Sequence, residues 1–180
     1  MTAGRCLAVM ALAIGFAGPP AVSAAQETCH EYGTEFGDFR KCVSSVLPPQ
    51  GGKNYRPEHL IGSSGGAWCE GVPGHGVGQT ITFHQSPAHV IATIVFVNGY
   101  AASEKTFRDN GRVKRMRIET SGGYKREINL KDTRDVQKIK LSPSRAAWIR
   151  STILDVYPGD KHQDTCISTL SAVVDEFLNQ

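Results

Sequence analysis

The chain has 180 residues, of which 40% are hydrophobic and 21% charged, and its formal net charge at pH 7 is +3. This length is enough for one domain with a hydrophobic core, and the absence of internal repeats from the sequence excludes a repeat array. Positive charge is concentrated between residues 104 and 145, which hold 13 basic and 6 acidic residues. We interpret this excess as lysine and arginine side chains on the solvated face of strands, where they prevent pairing at exposed edges. The alternative is a surface that binds polyanions. We favour the first interpretation, so no nucleic-acid partner is expected.

Residues 1–25 have the features of a secretion signal. Arg5 supplies positive charge, an apolar run extends from Leu7 to Ala17, and Gly18-Pro19-Pro20 ends the run before the small residues Val22-Ser23-Ala24. The run is too short to cross a bilayer. The sequence therefore predicts export to the periplasm or the cell exterior, without stable membrane insertion. No cofactor is expected for the chain.

A short helix is predicted soon after the cleavage site. Apolar residues with helical spacing are Phe36, Phe39, Val43, Val46 and Leu47. Thr34 can cap the start of this helix, and Pro48-Pro49 would end it. We therefore predict that residues 26–52 form an N-terminal hook with a short helix, and that residues 53–180 form the main domain.

The stretch from Ala67 to Phe83 opens the main domain. Trp68 stands beside Cys69 and Glu70, and four glycines follow before residues 80–83, which alternate between polar and apolar. Clustered glycines predict a sharply bent loop, and the alternation predicts a half-buried strand. We expect Trp68 to belong to the core of the domain.

Alternating segments separated by turn residues roughly every ten positions predict a β-sandwich. The predicted strands are residues 79–84, 90–97, 113–120, 124–130, 136–141, 148–156 and 166–173. The predicted turns include Ser86-Pro87, Ser121-Gly122-Gly123 and Ser142-Pro143. No segment of the main domain has helical periodicity over a useful length.

Four cysteines remain after cleavage: Cys29, Cys42, Cys69 and Cys166. An even number in an exported chain predicts two disulfides, for which three pairings are possible. We favour Cys29–Cys42, which closes a local loop, and Cys69–Cys166, which ties the start of the β-domain to its end. The spacing does not suit a metal site of cysteines.

Several motifs resemble the discoidin superfamily, which is the coagulation factor V/VIII type C domain. The resemblance is to the variant found beside the glycohydrolase of secreted NAD-hydrolysing toxins, a translocation or glycan-binding domain. The matching motifs are Ala67-Trp68-x-Glu70-Gly71, Gly74-x-Gly76-x-Gly78, Asn98-Gly99-Tyr100, Phe107-x-x-Asn110-x-Arg112-x-Lys114, Tyr157-Pro158-Gly159-x-Lys161 and Asp164-Thr165-x-Ile167-Ser168. This resemblance implies an all-β, antiparallel jelly roll of about eight strands, which binds sugars, lipids or proteins through loops at one end and has no catalytic site.

The ligand class that this resemblance favours is carbohydrate, a glycan or cell-surface saccharide. The expected ligand-binding residues are Glu70, Asn98, Tyr100, Asn110, Arg112, Tyr157, Lys161 and Asp164. Their polar groups can donate and accept hydrogen bonds, and the two tyrosines can stack on a sugar ring. The alternative is that Glu70, Asn110, Arg112 and Asp164 form an internal network that fixes the loops.

Two other functions are consistent with the sequence. A hydrolase could use Glu70 and Asp164 as a carboxylate pair in an open cleft. A protein-interaction or translocation-assisting domain could dock through the N-terminal hook. No metal is expected, because acidic residues that hold calcium in sugar-binding relatives are replaced by Gly62-Ser63-Ser64 and Thr169.

Overall fold

The computed structural model describes residues 26–62 and 65–174. The predicted secretion signal, together with Ser63 and Ser64, lies outside the described residues. Within these two ranges there are eight strands: β1 Thr28–Thr34, β2 Gly37–Val43, β3 Trp68–Cys69, β4 Thr80–Asn98, β5 Arg112–Thr120, β6 Lys125–Asn129, β7 Gln137–Tyr157 and β8 Cys166–Val174. All pairs of strands are antiparallel. The predicted all-β jelly roll is therefore confirmed.

Strands β4 and β7 are long enough to take part in both layers of the sandwich. The first half of β4 pairs with β2 and the second half of β7 pairs with β5, while the second half of β4 pairs with β8. The order across the first layer is β1-β2-β4-β7-β5-β6, and β3 extends the second layer beyond β8. The core between the layers includes Trp68, Phe96, Met116 and Ile153, all fully buried.

The predicted turns at Ser86-Pro87 and Ser142-Pro143 are wrong, because each lies inside a continuous strand. The register between β4 and β7 shifts between His84 and His89, so the strands bend there without ending. Proline is tolerated in a strand at such irregular positions because its missing N–H is not needed by the ladder. The hairpin turn at Ser121-Gly122-Gly123 is confirmed, and Thr120 N there donates to Tyr124 O at 2.9 Å.

The predicted N-terminal helix is also wrong, because residues 28–43 form the β1–β2 hairpin. Phe39 and Val43 lie four residues apart, a spacing that fits a helix but also fits one face of a strand. The pairing of β2 with β4 over residues 38–43 satisfies the backbone and selects the strand. Thr34 therefore does not cap a helix; its Oγ1 accepts a hydrogen bond from Phe36 N in the hairpin turn.

Both predicted disulfides are confirmed. Cys29 and Cys42 lie directly opposite each other in the β1–β2 hairpin, and Cys69 and Cys166 lie opposite each other where β3 meets β8. The structure also contains a 3-10 helix, Pro57–Ile61, and one α-helix, α1, Glu104–Asp109, among the described residues. Helix α1 was not predicted; its signal in the sequence is the capping box formed by Ser103 and Thr106.

Candidate functional site

Four loops meet at one end of the sandwich, which we call the loop end: residues 70–79, 99–111, 130–136 and 158–165. Backbone hydrogen bonds join three of them, since Glu70 N donates to Thr165 O at 3.1 Å and Gly111 N donates to Asp164 O at 2.9 Å. Arg112 at the start of β5 pairs with Tyr157 at the end of β7. All eight residues expected to bind ligand lie at this end of the molecule.

Glu70 is fully buried and holds the glycine-rich loop in place. Its Oε1 accepts a hydrogen bond from Thr165 N at 3.1 Å, and its Oε2 accepts one from Val72 N at 2.9 Å. Burial raises the pKa of the Glu70 carboxyl, and nearby Asp164 raises it further, although the two hydrogen bonds oppose this. A side chain at Gly76 would lie 2.4 Å from Glu70 Cγ, so the loop needs glycine there.

Asn98 is also fully buried, and all of its hydrogen-bonding groups face the backbone. Its Oδ1 accepts from Gly99 N and Val113 N, and its Nδ2 donates to Val113 O at 2.8 Å and Lys131 O at 3.2 Å. An amide in this position has no donor or acceptor left for a ligand. Asn98 therefore joins the ends of β4 and β6 to the start of β5.

Arg112 ties three loops together. Its Nε and Nη2 donate to the two carboxylate oxygens of Asp132 at 3.0 and 2.9 Å, in a bidentate pair. Its Nη1 donates to Asn110 O at 3.1 Å and to Pro158 O at 2.7 Å. The guanidinium lies over the Phe107 ring, 5.3 Å from its centre. The Asn110 side chain is likewise engaged, because its Nδ2 donates to Thr106 O.

The two tyrosines and Lys161 differ in exposure. Tyr100 is buried against Tyr55 in an edge-on contact, with ring centres 6.4 Å apart. Tyr157 is half-buried, and its hydroxyl donates to Leu130 O at 3.1 Å. Lys161 is exposed and lies 3.8 Å from Asp109.

Asp164 is half-buried and lies near enough to raise the pKa of both Glu70 and Tyr55. The predicted residues are thus brought together at one end, but Glu70, Asn98 and Arg112 point inward.

A polar groove of about 390 Å³ opens beside Arg112 at the loop end. We call it the loop-end groove; its lining residues are Glu104, Phe107, Arg108, Arg112, Asp132, Thr133, Arg134, Asp135 and Asp160. Glu104 lies between two arginines, 2.7 Å from Arg108 and 3.3 Å from Arg134. The sequence analysis selected only Arg112 from this set. The missed signal was the run of charged residues 131–135 between two predicted strands.

The NAD glycohydrolase translocation F5/8 type C domain family has a model that matches residues 35–172. The chain belongs to this family. The match includes both glycine-rich and loop-end motifs, so the resemblance seen in the sequence is confirmed. No curated protein has significant sequence similarity to the chain.

Solved structures of low sequence identity share the fold. The mycobacterial arabinofuranosyltransferase AftD matches with a TM-score of 0.62 and 16% identity over 87% of this chain, which spans only 12% of AftD. The module CpGH89CBM32-5 of Clostridium perfringens, solved with GalNAc-β-1,3-galactose, matches with a TM-score of 0.57 and 14% identity, over 76% of this chain and 95% of its own. The family 32 module of C. perfringens NanJ, solved with galactose, has a TM-score of 0.55 and 16% identity, over 74% and 92% of the two chains.

The geometry around Glu70 does not resemble a pair of catalytic carboxylates. Such a pair works in a cleft that substrate and water can enter, whereas the Glu70 side chain is closed off by Val72, Gly76 and Thr165. Among the described residues, the only cluster of three potential metal ligands is Glu27 with Cys29 and Cys42, and the two cysteines are joined in a disulfide. Over the same described ranges, no helix has the length and apolar character needed to cross a membrane.

Proposed function

We propose that the chain is a secreted, non-catalytic module that binds carbohydrate in the loop-end groove. The observation that carries this proposal is the rigid polar floor of the groove, where Arg112 and Asp132 form a bidentate pair. Around this floor, Thr133, Arg134 and Asp160 present both donors and acceptors. A sugar needs this mixture, because each hydroxyl can donate one hydrogen bond and accept others.

The loop-end residues divide into two roles under this proposal. Glu70, Asn98 and Arg112 fix the loops, since their polar atoms bind backbone or Asp132. Contact with ligand falls to residues with exposed polar groups, which are Arg134 and Asp160 in the groove and Lys161 beside it. Preorganised loops favour affinity because little conformational entropy is lost on binding.

The comparisons and the cysteines support the proposal. Two modules of the same fold were solved with galactose or a galactose-containing disaccharide, and the CBM32 module of AlyQ was solved with 4,5-unsaturated mannuronic acid. Two disulfides are typical of proteins that fold in an oxidising compartment. The leader predicted over residues 1–25 is consistent with export to such a compartment.

The experiment is a glycan array probed with the exported chain, including galactose, GalNAc-β-1,3-galactose and a uronic acid. Arg134→Ala and Asp160→Ala should each weaken binding at least tenfold while leaving the melting temperature nearly unchanged, because both side chains are exposed. Arg126→Ala, on the exposed part of β6, is the matched control and should bind as the parent does. Binding unaffected by both groove variants would overturn the loop-end assignment.

A translocation-assisting role is the second candidate function, because the family is described by the translocation of an NAD glycohydrolase. It predicts a protein partner in place of a glycan. A chain that binds no glycan on the array but co-purifies with an NAD glycohydrolase domain supplied in excess would favour this second role.

A further inference from the structure

We propose that a second saccharide site, for an uncharged sugar, lies on the outer face of the β1–β2 hairpin, in a groove that shares no residue with the loop-end groove. This inference rests on the proposed function, since it assigns a further site to the same ligand class. We call it the hairpin groove; the residues that line it include Glu31, Gly33, Asp38, Arg40, His84 and Ser86. Its volume is about 590 Å³, within the range of small-molecule sites in proteins.

The strand register places the polar residues of the groove in two neighbouring rows. Glu31 lies opposite Arg40, Arg40 opposite His84, and His84 opposite Trp148. The first row therefore crosses four strands and is roughly 15 Å long, since neighbouring strands lie about 4.8 Å apart.

The second row is formed mainly by small residues. Gly33 lies opposite Asp38, and Asp38 lies opposite Ser86. Gly33 and Ser86, with Ala147 beside them, carry little side-chain volume, which leaves the depression between the charged residues.

The outward-facing polar side chains of the hairpin groove differ from Arg112 of the loop-end groove in their contacts, although Gln85, which also lines the hairpin groove, donates to His89 O and Ala146 O. Within the described residues, Glu31, Asp38, Arg40 and His84 form no side-chain hydrogen bond or ion pair, whereas Arg112 at the loop end makes four hydrogen bonds. Two acceptors and two potential donors thus face one depression. A bound polyol can satisfy all of them at once.

The charges of the groove favour an uncharged ligand. Glu31 and Asp38 supply two negative charges and Arg40 one positive charge. The pKa of His84 is lowered by burial and then by Arg40, with a smaller contribution from Arg150, while Glu27 opposes the shift. This shift favours the neutral imidazole, and the two carboxylates outnumber the one arginine, which disfavours an acidic sugar.

The hairpin is held firmly enough to present a preformed surface. The Cys29–Cys42 disulfide joins its two strands, and His89 Nε2 donates to Phe36 O in the turn at 2.8 Å. A side chain at Gly37 would lie 2.3 Å from Ser86 O, which shows how closely the turn packs on β4. A rigid site of this kind loses little entropy when it binds.

The test is to count bound sugars on the full exported chain by native mass spectrometry, with GalNAc-β-1,3-galactose as the probe. The decisive variant is Gly33→Val, which fills the depression. A Cβ at Gly33 would meet only Asp38 Oδ1, at 3.6 Å, so the variant should fold normally. Arg40→Ala removes a donor from the same groove, Arg134→Ala removes one from the loop-end groove, and Arg126→Ala is the control. The disaccharide concentration is chosen so that a site weakened tenfold stays largely empty.

We expect two disaccharides per parent chain, one for Gly33→Val, one for Arg134→Ala and none for the double variant. Arg40→Ala should weaken the second binding step about tenfold. Two bound disaccharides in a folded Gly33→Val chain, or a single one in the parent that Arg134→Ala removes, would overturn the hairpin site while leaving the loop-end site intact. Loss of binding in Gly33→Val alone, with Arg134→Ala unaffected, would overturn the loop-end site instead. A uronic acid that outcompetes the disaccharide at the hairpin groove would refute the assigned ligand class, and no binding of any probe would refute both sites.

Discussion

Lys41 Nζ donates a hydrogen bond to Leu60 O at 3.1 Å, beneath the β1–β2 hairpin. It also donates to Ser171 Oγ at 3.0 Å, and the side chain is almost fully buried, with no carboxylate partner among the residues that the structure describes. The rings of Tyr32 and Phe83 lie about 6 Å from the ammonium group. Burial lowers the pKa of Lys41 from 10.5 to about 7.

This burial predicts a dependence of stability on pH. Between pH 7 and about pH 10.4 the unfolded chain keeps a proton on Lys41 that the folded chain has lost, so the free energy of unfolding rises with pH, by up to about 1.4 kcal/mol per pH unit. The contribution is fully present above the unfolded pKa and is lost as pH falls through the folded value. Lys41→Met should flatten this slope in urea titrations at pH 7 to 10, whereas the exposed Lys138→Met should not. Equal slopes in all three proteins would show that Lys41 stays charged in the folded state.

Among the residues next to a disulfide cysteine, Trp68 is predicted to stabilise the core most. It is fully buried, and its Nε1 donates to Ser45 O at 2.9 Å. Trp68→Ala should lower the free energy of unfolding by about 3–5 kcal/mol, through the lost burial and the cavity left behind. Trp148→Ala, at a half-buried position on the outer face, should have a clearly smaller effect in the same chemical denaturation assay. A Trp68→Ala chain as stable as the parent would contradict the core assignment.

The two disulfides should contribute unequally to stability. Cys69–Cys166 joins residues 97 apart and Cys29–Cys42 joins residues 13 apart. In the chain-entropy model the longer loop is worth about 4–5 kcal/mol and the shorter about 3 kcal/mol. Replacing both members of each pair by alanine, followed by urea denaturation, should therefore show the larger loss for the Cys69–Cys166 pair. The reverse order would show that the hairpin disulfide stabilises more than its loop length predicts.

Glu70→Ala should lower the free energy of unfolding without changing the affinity of the folded chain for sugar. The substitution leaves Thr165 N and Val72 N without their partner, and each unsatisfied buried donor costs about 1–3 kcal/mol. Denaturation gives the stability, and titration at a temperature where the variant is folded gives the affinity. The exposed Glu35→Ala variant is the control for stability. A folded Glu70→Ala chain with greatly reduced affinity would place Glu70 in direct contact with the ligand.

The strands were predictable because alternation is visible within each short segment. The disulfides were predictable because they follow from the number of cysteines. Alternation marks β5, β6 and β8 directly, and an even number of cysteines in an exported chain leaves three pairings. The hairpin was not predictable from periodicity, since Lys41 points inward between Phe39 and Val43 and hides the alternation. Its polar group is satisfied by Leu60 O and Ser171 Oγ, contacts that only the folded chain contains.

The roles of the polar residues at the loop end were also not predictable from the sequence. Asparagine, arginine and glutamate are the residues that bind sugars, but they are also those that satisfy the backbone of tightly bent loops. Asn98 and Glu70 turn inward because the backbone N–H groups of Gly99, Val113 and Thr165 have no strand partner there. Which role a polar residue takes depends on the neighbouring loop, and residue type alone does not show it.

Strands β4 and β7 run through both layers of the sandwich, and this has a consequence for the way the domain comes apart. Each layer contains one half of β4 and one half of β7. Unfolding of either strand therefore removes a central strand from both layers at once. The amides of Ile81 and Phe96, on opposite sides of the bend in β4, should therefore exchange with solvent deuterium at the same free energy, that of global opening. We therefore expect the described sandwich to unfold as one cooperative unit, so that a destabilising substitution in the hairpin also lowers the opening free energy at the loop end.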